Sequence, residues 1–258
     1  MTAYRRFVAL GDSQTEGLGD GDETSGHRGW ADRLAEQLAA GGAGFTYANL
    51  AVRGKRAAEI RAGQLAAALA LRPDLASVMA GMNDLIRPGC EPDAVAGELE
   101  AMYAALTESG ARVITFTFPD LTRIVPVAAP LRPRLLDFNT RIREAAARHG
   151  VLVVDTSGYE VSVDPRLWSG DRLHLAPLGH ARIAAAAADA LGLPGSDGNW
   201  REPLPPLPPA PVWRRAATEL AWAGRFLGPW LGRRLTGRSS GDGRTAKRPL
   251  PLPVTPAG

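Results

Sequence analysis

A single cysteine, Cys90, occurs in the 258 residues, so no internal disulfide can staple the fold. Pro88-Gly89 before it and Glu91-Pro92 after it predict a loop thiol without chemistry, in a reducing compartment. Long apolar runs are also missing: none reaches the roughly 20 residues that cross a bilayer. Met1-Thr2-Ala3-Tyr4-Arg5-Arg6 leads straight into an apolar strand, leaving no room for the regions of a secretory leader, and a cytoplasmic protein is expected. Histidine is scarce. His27, His149 and His180 have no companions at metal-ligand spacing and are read as surface or helix-packing residues, so no metal is expected. Gly17-Leu18-Gly19-Asp20-Gly21 has the wrong spacing for a dinucleotide loop, and Asp20, Asp22 and Glu23 would repel a pyrophosphate. No cofactor is expected. Arginine takes the place of lysine at all but Lys55 and Lys247, and no nucleic-acid reading module is recognisable, so nucleic acid is not an expected partner.

What is present is ample core material, with 45% hydrophobic residues. Short β-branched runs alternate with Ala- and Leu-rich stretches, the pattern of repeated βα units around a parallel sheet. Five strands are predicted near Arg6–Leu10, Phe45–Leu50, Leu75–Ala80, Arg112–Phe118 and Val151–Asp155. Helices are predicted near Gly29–Ala40, Ala57–Leu71, Asp93–Ser109, Pro133–His149 and Pro177–Leu191. Such a sheet is doubly wound, with its reactive loops beyond the strands' carboxyl ends.

The most informative segment is Phe7-Val8-Ala9-Leu10-Gly11-Asp12-Ser13, an apolar strand that ends at a Gly-Asp-Ser turn and delivers a hydroxyl to that edge. A turn or N-cap serine would look the same locally. The other half of the chemistry lies downstream. In Asp171-Arg172-Leu173-His174 a carboxylate three residues from an imidazole can hold it in one tautomer, and serine needs such a base because its hydroxyl is a weak nucleophile. Gly54, closing Asn49-Leu50-Ala51-Val52-Arg53-Gly54, allows a backbone N–H close approach to a ligand. Asn83, in Gly81-Met82-Asn83-Asp84, adds an amide at the same edge. Donors from Ser13 N–H, Gly54 N–H and Asn83 could converge on an oxyanion, each worth roughly 3–4 kcal/mol. Asp12 and Asp84 adjoin these blocks as candidate braces for backbone N–H groups or as simple turn residues.

Ser13 in Gly-Asp-Ser, Gly54 in its loop, Asn83 in Gly-Met-Asn-Asp, and Asp171 with His174 in Asp-x-x-His match, in order, the four marker blocks of the SGNH hydrolases, also called GDSL esterases and lipases. The chain resembles that family from about residue 7 to 180. The resemblance implies a flavodoxin-like three-layer α/β/α sandwich, a Ser-His-Asp triad, and hydrolysis of esters, thioesters or acetylated sugars.

Residues 1–195 carry 20 Lys/Arg against 23 Asp/Glu, whereas residues 196–258 carry 10 against 4 and hold 11 of the 21 prolines. A catalytic domain over 1–195 is therefore expected to be followed by a Pro/Arg-rich extension over 196–258. An amphipathic helix is expected near 212–235, with Trp213, Leu220 and Leu227 at heptad spacing and Trp222 with Phe226 one turn apart. Three fates for its aromatic surface stay open: packing on its own domain, homo-oligomer or other subunit contact, or peripheral membrane contact through Arg214, Arg215, Arg225, Arg233 and Arg234. From about Gly237 the chain is expected to be disordered.

The reading is a serine ester hydrolase acting on small-molecule or lipid esters of short- to medium-chain acyl or acetyl type. Loops at Leu85–Pro92 and Pro119–Pro130 are expected to form an apolar acyl wall. An acyltransferase would use the same residues, and a non-catalytic binding module would act through the extension instead.

Overall fold

Phe7, Val8, Ala9 and Leu10 are fully buried, as expected of a strand with neighbours on both edges and helices on both faces. They belong to β1 (Arg6–Gly11) in a computed structural model that describes residues 4–208, 211–228 and 240–255. β1 is followed by the single turn α1 (Ser13–Glu16) and a small hairpin, β2 (Gly21–Asp22) with β3 (Gly26–His27). Then come α2 (Trp30–Ala39) and β4 (Thr46–Asn49). A helical run follows as α3 (Ala57–Ile60), a π turn at Arg61–Leu65, and α4 (Ala66–Ala70). The remaining units are β5 (Leu75–Met79), α5 (Met82–Leu85), α6 (Pro92–Glu108), β6 (Arg112–Phe116), α7 (Arg132–Arg148), β7 (Leu152–Val154) and α8 (Pro177–Ala190).

The sheet order is β7-β6-β5-β1-β4-β8, with β8 spanning Arg248–Pro253. The first five of these are parallel and doubly wound, in the flavodoxin-like order. α2 packs with α8, while α6 packs with α3 and α7, making the two outer layers. Large rings fill the space between: Trp30 lies 4.5 Å from Phe116 between centroids, and Phe7 stacks on Tyr47 at 5.3 Å. Gly81, two residues past β5 and just before α5, has φ +115°, and a Cβ there would sit 2.4 Å from the Phe138 ring. Only glycine fits that sharp exit, which launches α5 and Asn83 toward the sheet edge.

The extension departs from expectation at its end. Residues from about Gly237 were expected to be disordered, yet β8 (Arg248–Pro253) pairs antiparallel with β4 and makes the sheet six-stranded and mixed. Pro249, Pro251 and Pro253 occupy alternate positions, so the missing N–H groups all fall along one edge. An outermost strand tolerates that, and the same spacing hides the strand from a pattern search. Charge ties the segment down as well. Lys247 Nζ donates to Asp32 Oδ2 at 2.6 Å, Arg244 Nη1 to Glu23 Oε2 at 2.8 Å and Arg248 Nε to the Tyr47 carbonyl at 2.8 Å. The basic extension thus meets acidic groups of the body.

Trp200, past the expected boundary at 195, is buried in the main core and donates Nε1–H to Asp189 Oδ2 at 3.0 Å. Further on, α9 (Val212–Trp222) runs into a π turn at Ala223–Leu227. The expected helix residues Arg233 and Arg234 lie outside the described residues, as do Trp230 and Leu231. Among the described residues no helix is long and apolar enough to cross a membrane.

Candidate active site

β1 ends at Gly11, where Gln64 holds both backbone groups: Gly11 N–H donates to Oε1 and Nε2–H donates to the Gly11 carbonyl, each at 2.9 Å. Asp12 then caps α1, its Oδ1 accepting Gln14 N–H at 3.2 Å, and Ser13 begins that turn with its Oγ facing across to the loop before α8. The Ser13 Oγ lies 3.0 Å from His174 Nε2, and His174 Nδ1 lies 2.6 Å from Asp171 Oδ2. Residues 161 positions apart are thereby joined in one line. The other Asp171 oxygen, Oδ1, accepts Leu173 N–H at 2.9 Å, His174 N–H at 3.0 Å and Ser169 Oγ–H at 2.6 Å. Burial pushes the Asp171 carboxyl up, but the His174 ring and these donors outweigh it and hold the acid well below its usual range.

Asn83 stands between the Ser13 turn and the Gly54 loop. Its Nδ2 donates to Asp12 Oδ2 and to the Lys55 carbonyl, both at 3.1 Å. Gly54 has φ +76°, a left-handed conformation that turns its N–H and that a Cβ would oppose. Among the described residues the N–H groups of Ser13 and Gly54 donate to no protein acceptor. Burial pushes the Asp12 carboxyl up to about 7 against the opposing pull of Gln14 N–H, His174 and the Asn83 amide. Asp84 Oδ2 accepts Ala57 N–H at 3.0 Å and so braces the start of α3 to the Asn83 turn.

Several contributors carry no motif of their own. Gln14 clasps the histidine loop, with Nε2–H donating to the Leu173 carbonyl at 2.8 Å and Oε1 accepting Leu175 N–H at 3.3 Å. Glu16 and Arg53 form a buried ion pair that also ties the backbone next to Gly54, because Arg53 N–H donates to Glu16 Oε2 at 2.7 Å. Asn49 links the end of β4 to α1 through the Thr15 carbonyl at 2.8 Å. His180, read as a packing residue, is fully buried; Nδ1 accepts Trp30 N–H at 3.1 Å and Nε2–H donates to the Leu18 carbonyl at 2.9 Å. Burial pushes its pKa down to about 4, so the ring is neutral. Polar residues of this kind carry no spacing signature, since their partners are fixed only by tertiary structure.

A cavity of about 60 Å³, open to solvent on one side, adjoins Ser13, Gln14 and Asn83. Ile86, Pro119 and Leu121 come from the two loops expected to form an acyl wall and Ile183 from the expected helix α8, while Val161, Trp168 and Trp200 come from segments that were not foreseen. The lining is mostly apolar.

The sequence matches the model of the GDSL-like lipase/acylhydrolase family over residues 9–182. No curated protein sequence matches the chain. Among solved structures it is similar to LAE5, an alpha/beta hydrolase from the metagenome of Lake Arreo, Spain. That match has a TM-score of 0.63 and 24% identity and covers 74% of this chain and 97% of that one. It is also similar to Axe2, an acetylxylan esterase from Geobacillus stearothermophilus, with a TM-score of 0.63 and 19% identity over 75% of this chain and 97% of that one. TesA matches with a TM-score of 0.60 and 24% identity over 72% of this chain and 98% of that one.

Proposed function

The chain belongs to the GDSL-like lipase/acylhydrolase family, and from that premise we propose that it hydrolyses carboxylic esters through an acyl-enzyme formed on Ser13. In this reading His174 Nε2 accepts the Ser13 proton as Oγ attacks the ester carbonyl, and Asp171 stabilises the imidazolium through Nδ1–H. The carbonyl oxygen becomes an oxyanion held by Ser13 N–H, Gly54 N–H and Asn83, which shares the N–H otherwise given to Lys55. Collapse expels the alcohol, which leaves with the proton from His174. Water then repeats the sequence on the acyl-enzyme, releasing the acid and restoring Ser13.

The observation that carries this reading is the continuous Ser13–His174–Asp171 line, at 3.0 Å and 2.6 Å, beside two backbone donors without acceptors among the described residues. The apolar cavity suits an acyl chain, and short- to medium-chain acyl or acetyl esters are the proposed substrates. The test is hydrolysis of p-nitrophenyl esters from acetate to palmitate by the wild type beside Ser13→Ala. Turnover that vanishes with Ser13 is expected, and its chain-length optimum sizes the cavity. Equal turnover by both proteins would reject Ser13 as the nucleophile.

A further inference from the structure

Between the two triad members of the downstream loop stands Arg172, whose backbone is left-handed at φ +59° although the residue carries a Cβ. A non-glycine residue persists there only where surrounding contacts over-determine it. The loop and the body supply two of them, Arg172 N–H donating to the Ser169 carbonyl at 2.9 Å and Nη1 to the Ile124 carbonyl at 3.4 Å, and the closest side-chain contacts come from the extension. Arg172 Nη1 and Nη2 donate to the two Glu219 carboxylate oxygens at 2.7 Å each, and its guanidinium lies 4.8 Å from the Trp222 ring centroid. Trp222 Nε1–H donates to the Asp171 carbonyl at 3.1 Å. The Phe226 ring rests on the Gly170 backbone, where a Cβ would meet it at 3.6 Å. Glu219, Trp222 and Phe226 recur at positions i, i+3 and i+7, so one face of α9 and its continuation lies on the loop. The opposite face carries Trp213 and Leu220, 67% and 76% exposed.

We propose that Glu219 and Trp222 are positioning residues for the triad: α9 clamps the loop at 170–174 so that the Asp171 carboxylate stays aimed at His174. The proposal rests on the triad reading above. Both residues lie beyond 9–182, the part of the chain that the family model matches, so the clamp is an addition to that core. Its mechanical logic is local. Release of Arg172 lets its backbone relax to an ordinary conformation, which swings Asp171 and breaks the Leu173 and His174 N–H bonds to Oδ1. The hydroxyl and the oxyanion donors, held by β1, β4 and β5, are left as they were.

The experiment uses the full-length protein with Trp222→Phe, which keeps a ring over Arg172 but removes the N–H donor, and Glu219→Gln, which keeps size but removes charge. One pair of variants completes the set: Arg172→Glu alone and with Glu219→Arg. For each, kcat, KM, Tm and amide hydrogen exchange at 169–174 are measured. Each single substitution is expected to lower kcat about five- to tenfold, the size of one lost hydrogen bond, with KM unchanged. The Leu173 and His174 amides should exchange faster by a similar factor, with Tm preserved. Restoring the ion pair in reversed orientation should recover most of the kcat lost in Arg172→Glu. Unchanged exchange and kcat in both Trp222→Phe and Glu219→Gln would overturn the proposal, as would a rise in KM alone, which would put α9 on the substrate. Absence of Ser13-dependent turnover in the wild type would sink the triad reading instead, and hydrogen exchange would still decide the clamp.

Discussion

Replacement of Asp171 by asparagine changes one atom type and should nearly silence the enzyme. Asp171 Oδ1 is met by three donors, Leu173 N–H, His174 N–H and Ser169 Oγ–H, at 2.9, 3.0 and 2.6 Å. An asparagine in this place therefore keeps its oxygen on those donors and turns its NH2 group toward His174 Nδ1. The imidazole must then accept at Nδ1 and carry its proton on Nε2, which lies 3.0 Å from the Ser13 hydroxyl. In that tautomer Nε2 cannot take the serine proton. The expected loss in kcat is about 10³- to 10⁴-fold, or about 4–5.5 kcal/mol of transition-state stabilisation. KM should stay within a few-fold, because the acyl cavity is untouched. Folding stability should fall by about 1–3 kcal/mol, since the hydrogen bonds persist but lose the charge assistance of the carboxylate. Steady-state hydrolysis of the best p-nitrophenyl ester, with urea unfolding of the same preparation, measures all three. A variant that keeps more than a tenth of wild-type kcat would refute the tautomer argument.

Asn83→Ala removes one of the proposed oxyanion donors and should cut kcat by about 10²- to 10³-fold with KM little changed; a matched rise in KM would show that Asn83 serves binding instead. Glu16→Gln leaves the Arg53 charge buried with only Glu23 as an anionic partner, and should cost about 3 kcal/mol, the low end for a broken buried pair, read as a lower urea midpoint. An unchanged midpoint would refute it. His180→Phe strands Trp30 N–H and the Leu18 carbonyl, about 1–3 kcal/mol for each buried group. The pH sign follows from the ring's lowered pKa of about 4: unfolded chains take up the proton first as pH falls, so the contribution is whole above the ordinary 6.5 and drains away toward pH 4. Thermal unfolding of His180→Phe should lack that acid loss, and an identical pH slope in both proteins would contradict it.

The parallel sheet was legible because its strands are short apolar runs followed by a glycine or proline, such as Gly11, Gly54, Gly81 and Pro119, and a helix-length amphipathic stretch separates each from the next. Ser13, Gly54, Asn83, Asp171 and His174 were legible for a related reason: each sits in a short local block at the end of a strand or at the start of a helix. The Glu16–Arg53 pair, Gln14 and Gln64 were not, because nothing local distinguishes a polar side chain that reaches across two loops from one that faces water. β8 was hidden by its prolines, which read as extended and disordered until β4 offers an edge. The extension showed its aromatic helix clearly, but only the fold reveals that Trp222 meets the backbone of Asp171.

The central claim is that Ser13 becomes covalently acylated with His174 as its base, and labelling with a fluorophosphonate ester followed by mass spectrometry of the peptides tests it most directly. The account predicts one equivalent of label on Ser13, none in Ser13→Ala, and labelling slowed by orders of magnitude in His174→Ala. Label on another residue, or a protein that turns over esters while Ser13 stays unmodified, would contradict it.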